Sequence, residues 1–266
     1  MTFSVIVTVF NLGSFLDDCL ESIYNASLGN DVEVIIVNDG STELDTINEI
    51  VRLRVKYPNF IFLDKPNGGP ASARNTGVSH SSGYYIIPFD ADNIMRPDLF
   101  GVIKNKIDDL NSDFDVIYFN ALFFGNKNFV WPDKDYNATE LAVSNFIDSS
   151  ACFSRVLFDR LNGFDESNVL RGFEDWDFWL RATACNSKFV FLREVLFDYR
   201  VRTGSMLDRA WPNRNQIIDY IFDKPELIDL KAVRLSQLSP SVTKNDRPFF
   251  FRLQNALSRL LFKKPL

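Results

Sequence analysis

The chain has 266 residues, 46% of them apolar and 24% charged, and a formal net charge of −6. This is globular composition: it excludes a disordered, collagenous or coiled-coil chain, and the acidic excess argues against a surface that tracks a nucleic-acid backbone. Three cysteines (Cys19, Cys152, Cys185) and a single histidine make neither a disulfide scaffold nor a zinc set, and the cysteines read as buried free thiols in a reducing compartment.

Residues 3–9 (FSVIVTV) read as a buried strand, because β-branched side chains dominate a short run. Asn11 and Gly13 break it. Phe15, Leu16, Cys19, Leu20, Ile23 and Tyr24 then recur at helical spacing, with Ser14 as the expected cap. The unit repeats: 32–37 is a strand, Asn38-Asp39-Gly40-Ser41 a turn, and Leu44, Ile47, Ile50 and Val51 the expected apolar side of a second helix. Residues 60–63 form a third strand, and Asn67-Gly68-Gly69 leads into Pro70, which suits the first turn of a helix. Residues 84–89 supply a fourth strand, followed at once by Asp90-Ala91-Asp92-Asn93. Such alternation predicts an α/β fold with a Rossmann-like, mostly parallel central sheet and flanking helices. Ligands bind such sheets at the carboxyl ends of the strands, where Asn11, Asp39, Asn67 and Asp90 all fall.

Beyond a helix at 97–110 and a strand at 116–119 the alternation loosens. Gly125-Asn126 separates two aromatic and β-branched runs able to pair as a hairpin. A helix at 154–161, a break at Gly163, a helix at 174–184, strands at 189–192 and 196–200, and a mainly helical stretch past Trp211 complete the pattern.

Two carboxylates one residue apart at a strand mouth, Asp90 and Asp92, are relieved of mutual repulsion if they share Mg²⁺ or Mn²⁺ with a substrate phosphate; acids that merely serve a loop or cap are the plainer alternative. Asp39 is placed either to accept from a base N–H or to make an unliganded Asx turn. Gly68 and Gly69 allow close backbone approach, and Arg74 and Asn75 are suited to bracket a nucleotide sugar or orient Asp90. No GxGxxG or phosphate-loop lysine pattern is present. His80, late in its helix, is explained by the helix dipole and receives no catalytic role. Asp177 and Arg181 have the spacing of a structural pair. Glu174 and Asp175 stand at the start of the 174–184 helix, where acids serve as caps or face a cleft. A hydroxyl nucleophile needs a nearby base, for which Asp175 is preferred and Glu174 is the reserve.

In this order, VTVFN at 7–11, NDGS at 38–41, NGGPASARNTG at 67–77, FDADN at 89–93, GFDE at 163–166 and GFEDWDFWLR at 172–181 resemble the family 2 glycosyltransferases of the GT-A fold. The resemblance implies an inverting transfer of sugar from a nucleotide-diphosphate sugar, UDP-linked, to a hydroxyl of a glycan or lipid-linked acceptor in bacterial surface-polysaccharide synthesis, such as capsule or lipopolysaccharide. It implies that Val9, Phe10, Asn11 and Asp39 receive the base and ribose, and that Gly69, Arg74 and Asn75 line the donor site. Asp90, Ala91 and Asp92 would then engage ribose and a diphosphate carrying Mn²⁺ or Mg²⁺, Asp175 would be the base, and Glu174 and Trp176 would meet the acceptor. Many members of that family carry a histidine near residues 199–205, where this chain has Arg202, expected to neutralise diphosphate directly. Two other readings are a sugar-phosphate nucleotidyltransferase, which would need a basic loop after the first strand, and a non-catalytic glycan-binding module, which has little use for Asp90, Asp92 and Asp175 together.

The expected organisation is a nucleotide-sugar half (1–110), an acceptor and catalytic-base half of the same domain (111–225) and a helical extension (226–266). Residues 247–266 hold five Lys or Arg, no acid, and Phe249, Phe250, Leu253, Leu257, Leu260 and Leu261 near helical spacing. That composition suits a helix lying on an anionic bilayer surface or one packed on its own domain. No apolar run approaches the ~20 residues that span a bilayer, and no basic leader precedes the first strand. The expectation is a cytoplasmic chain whose tail can touch the inner face of the membrane.

Overall fold

The computed structural model describes residues 2–125 and 128–238, so the basic tail at 247–266 lies outside the described residues. Four strands build the first half: β1 (Phe3–Val9), β2 (Val32–Asn38), β3 (Ile61–Asp64) and β4 (Tyr85–Asp90). All are parallel, with β1 between β2 and β4 and β3 outside β2. The register sets Val9 beside Asn38, Asn38 beside Asp64 and Thr8 beside Asp90, so the polar residues that end each strand share one edge.

The remaining strands are β5 (Ile94–Met95), β6 (Val116–Gly125), β7 (Phe129–Trp131), β8 (Cys152–Ser154) and β9 (Phe189–Val201). They continue the same sheet in the order β3-β2-β1-β4-β8-β6-β9-β5, with β7 on β6. The sheet is therefore mixed, which corrects the mostly parallel expectation. Among the described residues beyond β4 only β6 and β9 pair in parallel, and the β4–β8, β8–β6, β6–β7 and β5–β9 pairs are antiparallel. Parallel pairing needs a crossover that returns the chain to the same end, and the crossovers lapse where the sequence stops alternating. The expected hairpin is β6–β7, with Ala121 opposite Trp131. The two expected strands at 189–200 are one strand, because a bulge opposite Asn120 absorbs Arg193 and Glu194 and the Asn120 amide donates to the Arg193 carbonyl at 2.8 Å.

Strand alternation separates two cores. Val5, Val7, Val34, Ile36, Ile87 and Phe89 face α1 (Gly13–Ser27), α2 (Leu44–Lys56) and α4 (Leu99–Asp109). Ile6, Ile35, Val37 and Ile86 face the other side, where α3 (Pro70–Ser79) and α7 (Glu174–Ala184) lie with Phe178 and Trp179. The remaining helices are α5 (Ala138–Val143), α6 (Arg155–Arg160), α8 (Met206–Ala210), α9 (Arg214–Phe222) and α10 (Ile228–Leu238). None of the described helices is long and apolar enough to cross a membrane.

Two local expectations fail for one reason. Of the α2 residues expected to be buried only Ile50 is: Leu44, Ile47 and Val51 face solvent, and Thr46 and Leu53 pack inward beside Ile50. Helix α1 begins at Gly13 without a side-chain cap, and Ser14 lies inside it. Thr46 explains both: its hydroxyl accepts the Gly13 N–H at 3.0 Å, so α2 caps α1 across the sheet face and must rotate Thr46 inward.

Gly77 lets α3 close on β1, since a Cβ there would meet Ile6 Cγ2 at 2.2 Å. Gly77→Ala is expected to lower stability by about 1–3 kcal/mol through overpacking, measured by urea unfolding.

Candidate active site

Arg74 is 3% exposed and joins the two halves. One nitrogen of its fork donates to Glu174 Oε1 at 2.8 Å and the other to Asp90 Oδ1 at 3.2 Å. Glu174, 5% exposed, takes the Gly172 N–H on its second oxygen at 2.7 Å. The end of β4 and the first turn of α7, far apart in sequence, are thus bridged by one guanidinium. Glu174 has both oxygens engaged in holding that bridge and the Gly172 turn.

On the donor side, Asp39 is buried and accepts from Lys65 Nζ (2.8 Å) and from the backbone of Gly68 (2.9 Å) and Gly69 (2.8 Å). Its role in the fold is to hold the glycine loop against β2, and Gly69 adopts φ +89° to make that contact. Asn11 accepts the Thr42 and Glu43 N–H groups at 2.8 and 3.1 Å and so anchors the loop before α2. Val9 is buried in β1, whereas Phe10 is exposed beside it. Asn75, expected to line the donor site, directs its amide to the GFDE loop: it donates to the Phe164 carbonyl and to Glu166 and accepts the Phe164 N–H.

Asp92 is buried next to Asp90, with Ala91 fully buried between them. Burial, then the charge of Asp90, raise the Asp92 carboxyl above its usual range, against the pull of Arg202. Arg202 donates through Nε to Asp92 Oδ2 at 2.6 Å, and Arg200 donates to the Asp92 carbonyl at 2.9 Å. Both guanidinium groups lie over Phe15 in the first turns of α1. Mn²⁺ and Mg²⁺ accept one or two carboxylates completed by substrate phosphates. Asp90 and Asp92 fit that bridging role. Among the described residues no set of three or more His, Cys, Asp or Glu is gathered into a protein-only metal cage.

Asp175 takes the Trp176 N–H on Oδ1 at 2.7 Å and the Asn145 side-chain amide on Oδ2 at 3.0 Å. Burial, the adjacent Glu174 and nearby Asp148 push its carboxyl up to about 8, with Arg74 opposing. Asp148, which the sequence reading missed, is itself pushed up to about 6 by burial and by Asp90. Asp148 belongs to a segment without periodicity or motif, so only its spatial neighbours mark it. The Asp177–Arg181 pair forms as expected, at 2.8 Å. Trp176 does not: expected at the acceptor, it is 3% exposed with its indole N–H on the Leu141 carbonyl, leaving no open face to stack on a sugar.

The mixed sheet with helices on both faces is an α/β fold of the GT-A type, and solved structures share it. S. aureus TarS in complex with UDP-GlcNAc aligns at TM-score 0.67 with 18% identity, covering 99% of this chain and 76% of that one. The mannosyltransferase PcManGT from Pyrobaculum calidifontis, in complex with GDP-Man and Mn²⁺, aligns at 0.64 with 19% identity, covering 98% and 81%. The glycosyl transferase family 2 model matches residues 4–174, and the chain belongs to that family. Glycosyltransferase GlyG of Streptococcus pneumoniae is 29% identical over 231 residues, 78% of this chain and 75% of GlyG. The minor teichoic acid biosynthesis protein GgaB of Bacillus subtilis is 28% identical over 229 residues, 80% of this chain but only 25% of GgaB. This chain likewise spans 34% of GlyA of S. pneumoniae.

Arg74→Met leaves Glu174 buried without its cation and is expected to cost about 3–5 kcal/mol in urea unfolding. Adding Glu174→Gln should recover part of that loss.

Proposed function

We propose that the chain is an inverting, metal-assisted glycosyltransferase. It moves a sugar from a nucleotide-diphosphate donor, UDP-linked, to a hydroxyl of a glycan or lipid-linked acceptor in surface-polysaccharide synthesis. The observation that carries this reading is the Arg74 bridge, which brings the strand-end acids and the Asp175 turn into one charged cluster. UDP is the nucleotide of the TarS complex, and the teichoic acid protein GgaB favours a surface-polymer acceptor. A peripheral contact with the cytoplasmic membrane, made by the tail, belongs to the same proposal.

The acceptor hydroxyl gives its proton to Asp175 as its oxygen attacks the anomeric carbon, and the bond to the diphosphate breaks on the opposite face, which inverts the configuration. Arg202 faces the leaving diphosphate while remaining close to Asp92, and Arg74 keeps Glu174 and Asp90 from repelling the incoming phosphates. Asp90 and Asp92 would hold Mn²⁺ or Mg²⁺, whose chemistry there is to neutralise charge on the departing diphosphate.

A panel of UDP- and GDP-sugars, read by nucleotide release with Mn²⁺, Mg²⁺ or chelator, tests the reaction class. Asp92→Asn is expected to remove most turnover with little loss of stability, and near-normal turnover with chelator present would defeat the metal assignment. Asp175→Asn should cost about 10²–10⁴ in kcat. Because a base works deprotonated and Asp175 is pushed up to about 8, kcat/KM should climb with pH through that region, roughly tenfold per unit on the acid limb.

A further inference from the structure

The carboxylate of Asp175 is held from a segment that carries no recognisable motif. Helix α5 is six residues long, capped by Asn137, whose side chain accepts the Glu140 N–H at 3.0 Å, and Ser144 follows its last residue, Val143. Asn145 follows. Its Oδ1 accepts the Ile147 N–H at 3.1 Å, and a backbone N–H at that position can be met only by the oxygen of the amide, so the NH₂ end is turned to Asp175. The two oxygens of Asp175 thus have separate donors, the Trp176 N–H and the Asn145 amide.

The segment is clamped from outside. Trp176 and Trp179 of α7 donate their indole N–H groups to the Leu141 and Ile147 carbonyls, at 2.7 and 3.1 Å, fixing both ends of residues 141–147. Arg234 of α10 donates to the Ala142 and Val143 carbonyls at 2.8 and 2.6 Å, the last carbonyls of α5. Its guanidinium lies over the Trp176 and Phe222 rings.

We propose that Asn145 is a positioning residue for the catalytic carboxylate, aiming it and favouring its anionic form through the amide, with Arg234 locking the segment that carries Asn145. The inference rests on the reading of Asp175 as the base. The charges that face Asp175 are Glu174 on its own helix, Asp148 beyond α5 and Arg74 on α3, two repelling and one attracting, and the buried phenol of Tyr199 on β9 faces the same acids. A neutral donor on Oδ2 stabilises the carboxylate less than a cation would, and so keeps more of its affinity for the acceptor proton.

The test uses the full chain labelled with ¹³C at the aspartate carboxyls, the Asp175 signal being the one lost in Asp175→Asn. Asn145→Ala should raise its titration midpoint by about one unit, a tenfold loss of anion at a given pH. Asn145→Asp, which is isosteric and keeps the Ile147 turn, should raise it further and guards against misfolding of the alanine variant. Arg234→Met should move it in the same direction by less. Unchanged midpoints in both Asn145 variants overturn the proposal. Nucleotide release from UDP-GlcNAc with Mn²⁺ is measured alongside, where Asn145→Ala should lower kcat at pH 7 with donor KM unchanged and recover toward alkaline pH. Release that survives Asp175→Asn overturns the base assignment itself, whereas an inactive Asp175→Asn with unmoved Asn145 midpoints overturns only the role of Asn145.

Discussion

One buried guanidinium holds this molecule's two chemistries together. Arg74 sits between Asp90 at the end of a strand and Glu174 at the start of a helix, and both partners would repel each other and any arriving diphosphate without it. Burying an ion pair is costly, and losing one partner of a buried pair is costlier, so the bridge constrains geometry as much as it stabilises. Arginine suits the position because its planar fork meets two carboxylates in different directions, which a lysine ammonium on one stem does not reproduce.

The surroundings carry a surplus of acids. Asp90, Asp92, Asp148, Glu174 and Asp175 are answered by Arg74, Arg200 and Arg202, and burial together with mutual repulsion raises Asp92, Asp148 and Asp175. A general base works best when its affinity for a proton lies near the working pH, and an ordinary surface aspartate is too weak for that. On the proposed reading, burial first and then repulsion within the cluster fit Asp175 for deprotonating a hydroxyl. The Asn145 amide and the Trp176 N–H each donate to one oxygen of that carboxylate, which fixes its orientation and works against the rise.

Much of the local structure was legible from periodicity. The helix at 174–184 was read with the bounds it has, because Glu174 and Asp175 open it and its apolar residues repeat at helical spacing. The β6–β7 hairpin followed from Gly125 between two apolar runs. On α2 the polar Thr46 packs inward beside Ile50 and Leu53, leaving Leu44, Ile47 and Val51 to solvent, because its hydroxyl meets the Gly13 N–H. Motif position assigns Asn75 to the donor and Trp176 to the acceptor; in the fold Asn75 ties down the GFDE loop and the Trp176 indole lies in the core. Asp148 and Asn145 were invisible because nothing in their own neighbourhood in the chain distinguishes them.

What the amino-acid order determined alone is the run of strands and helices, the polar residues at the strand ends and the succession of motifs that marks the family. These depend on contacts within a few residues: side-chain alternation, capping and turn chemistry. Tertiary structure decided the mixed pairing beyond β4, which face of α2 is buried, and the meeting of β4, α3, α5 and α7 around Arg74 and Asp175. Those contacts join residues dozens to a hundred positions apart, and a charge's strength as acid or base is set by such neighbours and by the water they exclude.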